Sequence, residues 1–168
     1  PATSAQVVDM QRSVRRTTLS KDEIQVQTVE HFMAALWGVG VDNAIVELNG
    51  EEMPGMDGSA APFVELLKKA GTVQQDAPRR FISISQPIYI QEKDASIALF
   101  PGEKLKISYM LSYKHPLLKS QFTCYESNNG SLFEENLAGA RTFCLKEEAE
   151  ALRAAGFGKG ANFENTLV

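Results

Sequence analysis

Val29, Phe32, Met33 and Leu36 recur at i, i+3, i+4 and i+7, and this spacing commits residues 28–36 to a short amphipathic helix with one core-facing stripe. Thr28 precedes the stripe and carries the hydroxyl of an N-cap. Glu30 and His31 lie off the stripe. A carboxylate in the first turn is favoured by the helix dipole. An imidazole is a common zinc ligand, and a neighbouring carboxylate can take a proton from a metal-bound water. Taken alone, a Glu-His pair is usually a solvated helix face, and two residues match no metal-spacing rule. The surrounding sequence has to decide between these readings.

The 168 residues form one domain or two small ones, with 43% apolar and 23% charged residues, an ordinary globular balance that can build a core without staples. A net charge of −4 argues against a general nucleic-acid binder. Local basic spots remain at Arg12, Arg15, Arg16, Arg79 and Arg80; such small groups are usually surface. Cys124 and Cys144 form no Cys-x-x-Cys pair and fit no zinc-finger spacing, so free thiols in a reducing cytoplasm are expected. No apolar run approaches the ~20 residues that span a membrane, and no signal peptide is visible. The sequence starts at Pro1 without a methionine and stops at Val168 inside an apolar segment. We expect chain before the first residue and after the last.

Along the chain, residues 17–19 and 24–27 flank the polar stretch 20–23 as a β-hairpin would. The Glu30/His31 helix is expected to stop near Gly38 or Gly40. Residues 42–48 read as a strand, followed by an Asn49-Gly50 turn. Residues 53–59 are dense in turn formers. Ser59 is expected to cap a second helix running through Gly71, with Phe63, Leu66, Leu67 and Ala70 as its stripe and Pro62 in its first turn. Asp57 is read as a turn aspartate bonding to local backbone. Residues 72–80 are polar and aperiodic and mark a domain boundary. Strands follow at 81–91, 95–100, 104–113 and 121–126, with turns at Pro101-Gly102 and 127–130. His115, in a loop beside Pro116, is read as a loop-stabilising histidine. A short helix is expected at 132–137 and a longer one at 146–155, stopped by Gly156. The glycine-rich stretch 157–162 lacks the Gly-x-x-x-x-Gly-Lys-Ser/Thr pattern of a phosphate-binding loop. A weak repeat of order emerges: each half runs extended segments, two helices and an accompanying strand.

Five blocks now combine: Thr28-Val-Glu-His31 with Ala34-Ala35-Leu36; Asp42-Asn43 leading into Val46-Glu47-Leu48; residues 54–63, Pro-Gly-Met-Asp-Gly-Ser-Ala-Ala-Pro-Phe; Ala140-Arg-Thr-Phe143; and residues 156–160 followed by Asn165-Thr166. In this order and spacing they closely resemble the zinc-dependent UDP-3-O-acyl-N-acetylglucosamine deacetylase family of lipid A biosynthesis in Gram-negative bacteria, over nearly the whole chain. The first and third blocks are the most specific and the last the weakest. The resemblance implies an α+β fold of two similar domains, each a β-sheet packed on a pair of helices, with the active site between the helical layers. Both domains would be incomplete here: residues 1–75 the C-terminal part of domain one, residues 76–168 the N-terminal part of domain two. It also implies a cytoplasmic enzyme that hydrolyses the N-acetyl group of a UDP-sugar carrying an acyl chain.

By the same resemblance, His31 is a zinc ligand and Glu30 the general base for the zinc-bound water. Thr142 steadies the tetrahedral oxyanion, Phe143 packs on the sugar, and Ala161 and Asn162 fall near the acyl passage. Leu145 stands where some relatives carry a second aromatic on the wall of that passage. The family's His-x-x-x-Asp ligand pair and its general-acid histidine have no match, because His31 and His115 are the only histidines. Those residues are expected beyond Val168, and the 168 residues alone are expected to be inactive, since catalytic zinc usually has three protein ligands. Lys93 and Lys114 are candidates for contacting the UDP on chemistry alone. Two other readings compete: a non-catalytic paralogue with the same fold, and part of a fusion to a hydroxyacyl-carrier-protein dehydratase. Retention of both Glu30 and His31 argues against the paralogue.

Overall fold

A computed structural model describes residues 6–7, 15–21, 23–127 and 131–168. Arg12 and most of the turn at 127–130 lie outside the described residues. Contacts divide the chain into two compact units, residues 1–74 with 130–168, and residues 75–129.

The first unit begins with a small antiparallel sheet of β1 (Gln6–Val7), β2 (Thr18–Lys21) and β3 (Ile24–Gln27). Thr18 pairs with Gln27 and Lys21 with Ile24, which is the expected hairpin. Four helices follow: α1 (Glu30–Val39), α2 (Ala61–Ala70), α3 (Ser131–Asn136) and α4 (Lys146–Ala154).

Thr28 does not cap α1. Val29 holds the N-cap position with no side-chain cap, and the Thr28 hydroxyl donates instead to Glu52 Oε1 at 2.7 Å. A stronger acceptor from a distant segment has outcompeted the local capping rule. The helix ends as expected at Gly40, in the left-handed conformation (φ 81°). The Gly40 and Val41 amides donate back to Trp37 and Leu36, a Schellman closure.

The expected stripe of α1 is rotated. Ala35 is fully buried while Met33 is 49% exposed. The reason is that α1 has two apolar neighbours rather than one. Phe32 meets Phe63 of α2 edge-to-face at 5.5 Å, and Trp37 meets Phe133 of α3 at 5.8 Å. Gly38 lets α3 close in, because a Cβ there would overlap the Phe133 ring.

In α2 the N-cap is Ala60, one residue later than expected. Ser59 Oγ accepts the Ala61 amide at 3.2 Å, and Asp57 Oδ1 accepts both the amide and the hydroxyl of Ser59 at 2.9 and 2.8 Å. This is the local turn role read for Asp57. The buried positions of α2 are Phe63 and Val64, whereas Leu66, expected in the core, is 54% exposed and Ala70 is exposed. The buried residues are adjacent rather than an i, i+3 set, and Phe63 is the one that meets Phe32 of α1.

Residues 42–48 form no strand, and Ile45 is 94% exposed. Their β-prone residues find no ladder partner among the described residues, and a strand is defined by its partner. Residues 81–85 are irregular for the same reason.

The unit 75–129 consists of two antiparallel hairpins, β4 (Ile88–Glu92) with β5 (Ala95–Leu99) and β6 (Lys106–Leu111) with β7 (Gln121–Glu126). The last three match the expected strands, two of them with trimmed ends, whereas the expected strand 81–91 is reduced to Ile88–Glu92. Tyr125 is the one buried residue among the described residues of this unit. His115 Nδ1 accepts the amides of Leu117 and Leu118 at 3.2 and 3.3 Å, the loop-stabilising role read from the sequence. Both cysteines are free. No helix among the described residues is long and apolar enough to cross a membrane.

Candidate active site

Glu30 opens α1, and His31 follows in its first turn, both partly exposed. The Thr17 amide donates to Glu30 Oε2 at 3.1 Å, so one carboxylate oxygen is fixed by backbone at the end of β2. Among the described residues no hydrogen bond or ion pair engages the other oxygen.

Thr142 and Phe143 lie on an extended segment between α3 and α4. The Thr142 amide donates to Gly58 O at 2.8 Å, which ties this segment to the turn that starts α2. Gly58 has φ 80°, and a Cβ there would overlap the Asn165 carbonyl and press on the Thr142 methyl, so only glycine fits. Phe143 forms an isolated parallel bridge to Leu167. The Leu167 amide donates to Thr142 O at 3.1 Å, and the Cys144 amide to Leu167 O at 2.9 Å. The apolar end of the sequence thus contributes one rung of a ladder.

A cleft of about 330 Å³ lies against this segment, within the usual size range of small-ligand sites, roughly 300–1,000 Å³. Thr142, Phe143, Ala161 and Asn162 all line it, with apolar neighbours Ala149, Leu152, Phe163 and Val168. Four of the seven residues singled out by resemblance therefore line one cleft. Glu30 and His31 are not among its lining residues, nor is Leu145. Leu145 is the N-cap residue of α4, and its amide donates to Glu148 Oε2 at 2.9 Å. Lys93 sits in the two-residue loop between β4 and β5, and Lys114 in the loop after β6, both within unit 75–129.

Asn162 is engaged in shaping its own loop. Its Oδ1 accepts the Glu164 amide at 2.7 Å and the Asn165 amide at 3.2 Å. Asn165 Nδ2 reaches Gly160 O at 3.0 Å, and Arg153 donates to Ala161 O at 3.2 Å, so the glycine-rich stretch is fastened to α4. Arg15, Lys146, Glu150 and Arg153 also border the cleft and escaped the sequence reading. Lys146, Ala149, Glu150 and Arg153 are spaced i, i+3, i+4, i+7, so the face of α4 was available as a signal. Arg15 had none.

Arg15 pairs with Glu148 at 2.9 Å. The Leu145 amide, then the Arg15 guanidinium, hold the Glu148 carboxyl below its ordinary value.

A zinc site needs about three protein donors. Among the described residues no group of three or more His, Cys, Asp and Glu side chains could hold a metal ion. His31 supplies one imidazole, and the described residues around it do not complete a coordination shell.

The sequence matches the family described as UDP-3-O-acyl N-acetylglycosamine deacetylase over residues 1–168. It is 40% identical over its full length to the UDP-3-O-acyl-N-acetylglucosamine deacetylase of Saccharophagus degradans, covering 55% of that protein. It is 43% identical over 96% of its length to the Acidithiobacillus ferrooxidans enzyme of the same name, covering 53% of it. A third relative, from Anaeromyxobacter sp., is 41% identical over the full chain, which covers 54% of it. The chain belongs to the UDP-3-O-acyl N-acetylglycosamine deacetylase family, and it spans about half the length of the curated relatives it matches.

Proposed function

We propose that this chain is part of a cytoplasmic enzyme that hydrolyses the N-acetyl group of a UDP-3-O-acyl-N-acetylglucosamine, in the lipid A pathway of Gram-negative bacteria. Family membership over all 168 residues is the observation that carries the reading. The names of the relatives supply the substrate class. In the proposal, residues 1–75 belong to one domain and 76–168 to a second, both of α+β type.

His31 is assigned as one zinc ligand. The donor set among the described residues does not complete a zinc site. The remaining roles fall to side chains of this chain. Glu30 is the general base. Its Oε2 is held by the Thr17 amide, which leaves Oε1 to take the proton from the attacking water. Thr142 supplies a hydroxyl donor to the oxyanion that develops on the acetyl carbonyl. Such a donor is useful only if it is fixed beforehand, and the bonds from Thr142 to Gly58 and Leu167 support that role. Phe143, Ala161 and Asn162 bind substrate: Phe143 offers a ring to the sugar, and Ala161 and Asn162 wall the apolar cleft that would receive the acyl chain.

The test is turnover by the full-length protein on a UDP-3-O-acyl-N-acetylglucosamine. Glu30→Gln should lower kcat by about 10²–10⁴-fold with KM little changed. Thr142→Val should lower kcat by about 10²–10³-fold. Wild-type protein with no acetate release, or a fully active Glu30→Gln, would overturn the reading.

A further inference from the structure

We propose that Glu52 is a positioning residue for Glu30 and His31, an inference that rests on the reading of these two as catalytic base and metal ligand. Glu52 touches neither of them. Its Oε1 accepts the Thr28 hydroxyl at 2.7 Å and Arg16 Nη1 at 3.2 Å. These two donors stand on the two strand ends that lead to the pair. Thr18 is registered opposite Gln27, so Thr17 and Thr28 are the next residues outward, and the Thr17 amide holds Glu30 Oε2. One carboxylate oxygen therefore ties down the residue before Thr17 and the residue two before Glu30.

The backbone says why a tether is needed. Thr28 has φ 58°. A β-branched residue rarely adopts the left-handed region, and such residues concentrate at functional sites where surrounding bonds over-determine them. If Thr28 relaxed to an ordinary conformation, the peptide planes entering α1 would turn and the first-turn side chains would turn with them. Glu52 is itself held in place. It forms a parallel bridge with Gln27; the Gln27 amide donates to Glu51 O at 2.8 Å and the Met53 amide to Gln27 O at 3.0 Å. Met53 is buried, which anchors the segment. Arg16 also reaches Gln27 Oε1 at 2.8 Å.

The experiment measures kcat and KM separately in the full-length protein for Glu52→Ala, Glu52→Gln, Thr28→Gly and the double variant Glu52→Ala/Thr28→Gly, with Glu30→Gln beside them. Glu52→Ala should lower kcat by about 10- to 100-fold while KM stays within about twofold, the pattern of a misaimed catalytic group. Glu52→Gln keeps an acceptor for Thr28 and should stay within about threefold of wild type. Glycine takes a positive φ without a tether, so the double variant should recover most of the loss in kcat. A structural role without positioning would leave the double variant no better than Glu52→Ala, and that result overturns the proposal. So does an unchanged kcat in Glu52→Ala when Glu30→Gln is inactive. A fully active Glu30→Gln would instead overturn the reading of the site, and the positioning role with it.

Discussion

The two compact units of this chain solve the same problem to different degrees. Unit 1–74 with 130–168 has a core: Val29, Ala35, Ala60, Phe63, Val64 and Phe133 are all buried. Its helices meet through aromatic edges and through polar links such as Lys68 to Glu134 at 2.8 Å. Unit 75–129 has well-registered ladders but almost nothing buried. Tyr89, Ile90, Ile97, Phe100 and Phe122 are each more than half exposed. Hydrogen-bond register is therefore independent of burial. Alternation and turn residues suffice to pair two strands, while an apolar face stays uncovered until something packs on it. Isolated two-stranded hairpins are at best marginally stable in water, so the difference has measurable consequences.

The largest effect should come from the core. Phe63→Ala removes the ring that meets Phe32, and denaturant unfolding of the 168-residue polypeptide should show a loss of about 3–5 kcal/mol. Ile97→Ala in the same polypeptide should change stability by less than about 0.5 kcal/mol. Equal losses at both positions would erase the contrast between the units. Repeating Ile97→Ala in the full-length protein sharpens it, since a large loss there would mean that residues outside this sequence cover the hairpin face.

Next in size is an effect on the cleft of the cored unit. Ala161→Phe places a ring in a space of about 330 Å³. In the full-length protein it should raise KM for long-acyl substrates by about tenfold and leave short-acyl ones nearly unchanged. A uniform rise for all chain lengths would place the acyl group elsewhere.

The smallest effect concerns Glu148. Its folded-state carboxyl is held below the ordinary value by the Leu145 amide and Arg15. The unfolded state then binds more protons in the acid range, so this contribution is present above the unfolded value, near 4.3–4.5, and is lost as pH falls through the folded one. Glu148→Gln should lower stability at pH 7 by about 0.5 kcal/mol, reduced by solvent screening, with the difference shrinking below about pH 4. A difference that persists unchanged at low pH would remove the charge from the explanation.

The sequence was legible where a local rule met no rival. The β2–β3 hairpin, the glycine stops of α1 and α4, the strand Gln121–Glu126 and the turn role of Asp57 all follow from residues close together in the chain. It was illegible where a distant partner decided. Glu52, 24 positions away, takes the Thr28 hydroxyl from its expected cap. Two aromatic neighbours rotate the stripe of α1, and residues 42–48 and 81–85 carry β-prone side chains without a ladder among the described residues. The candidate site divides the same way. Thr142, Phe143, Ala161 and Asn162 were singled out by resemblance and line one cleft, whereas the placement of Arg15 and of the cleft-facing side of α4 beside it needed three dimensions.

The paired bonds of Leu167 with Thr142 and Cys144 have one more consequence, for how such a chain can vary. They pinch off everything from α4 through the glycine-rich loop as a closed excursion that leaves and returns at one rung. The cost of closing a flexible loop grows only slowly with its length. Residues can be gained, lost or exchanged inside the excursion while the backbone of Thr142 keeps its bonds to Gly58 and Leu167. The fold thereby gives natural variation a place to remodel the cleft that is insulated from the rung beside it.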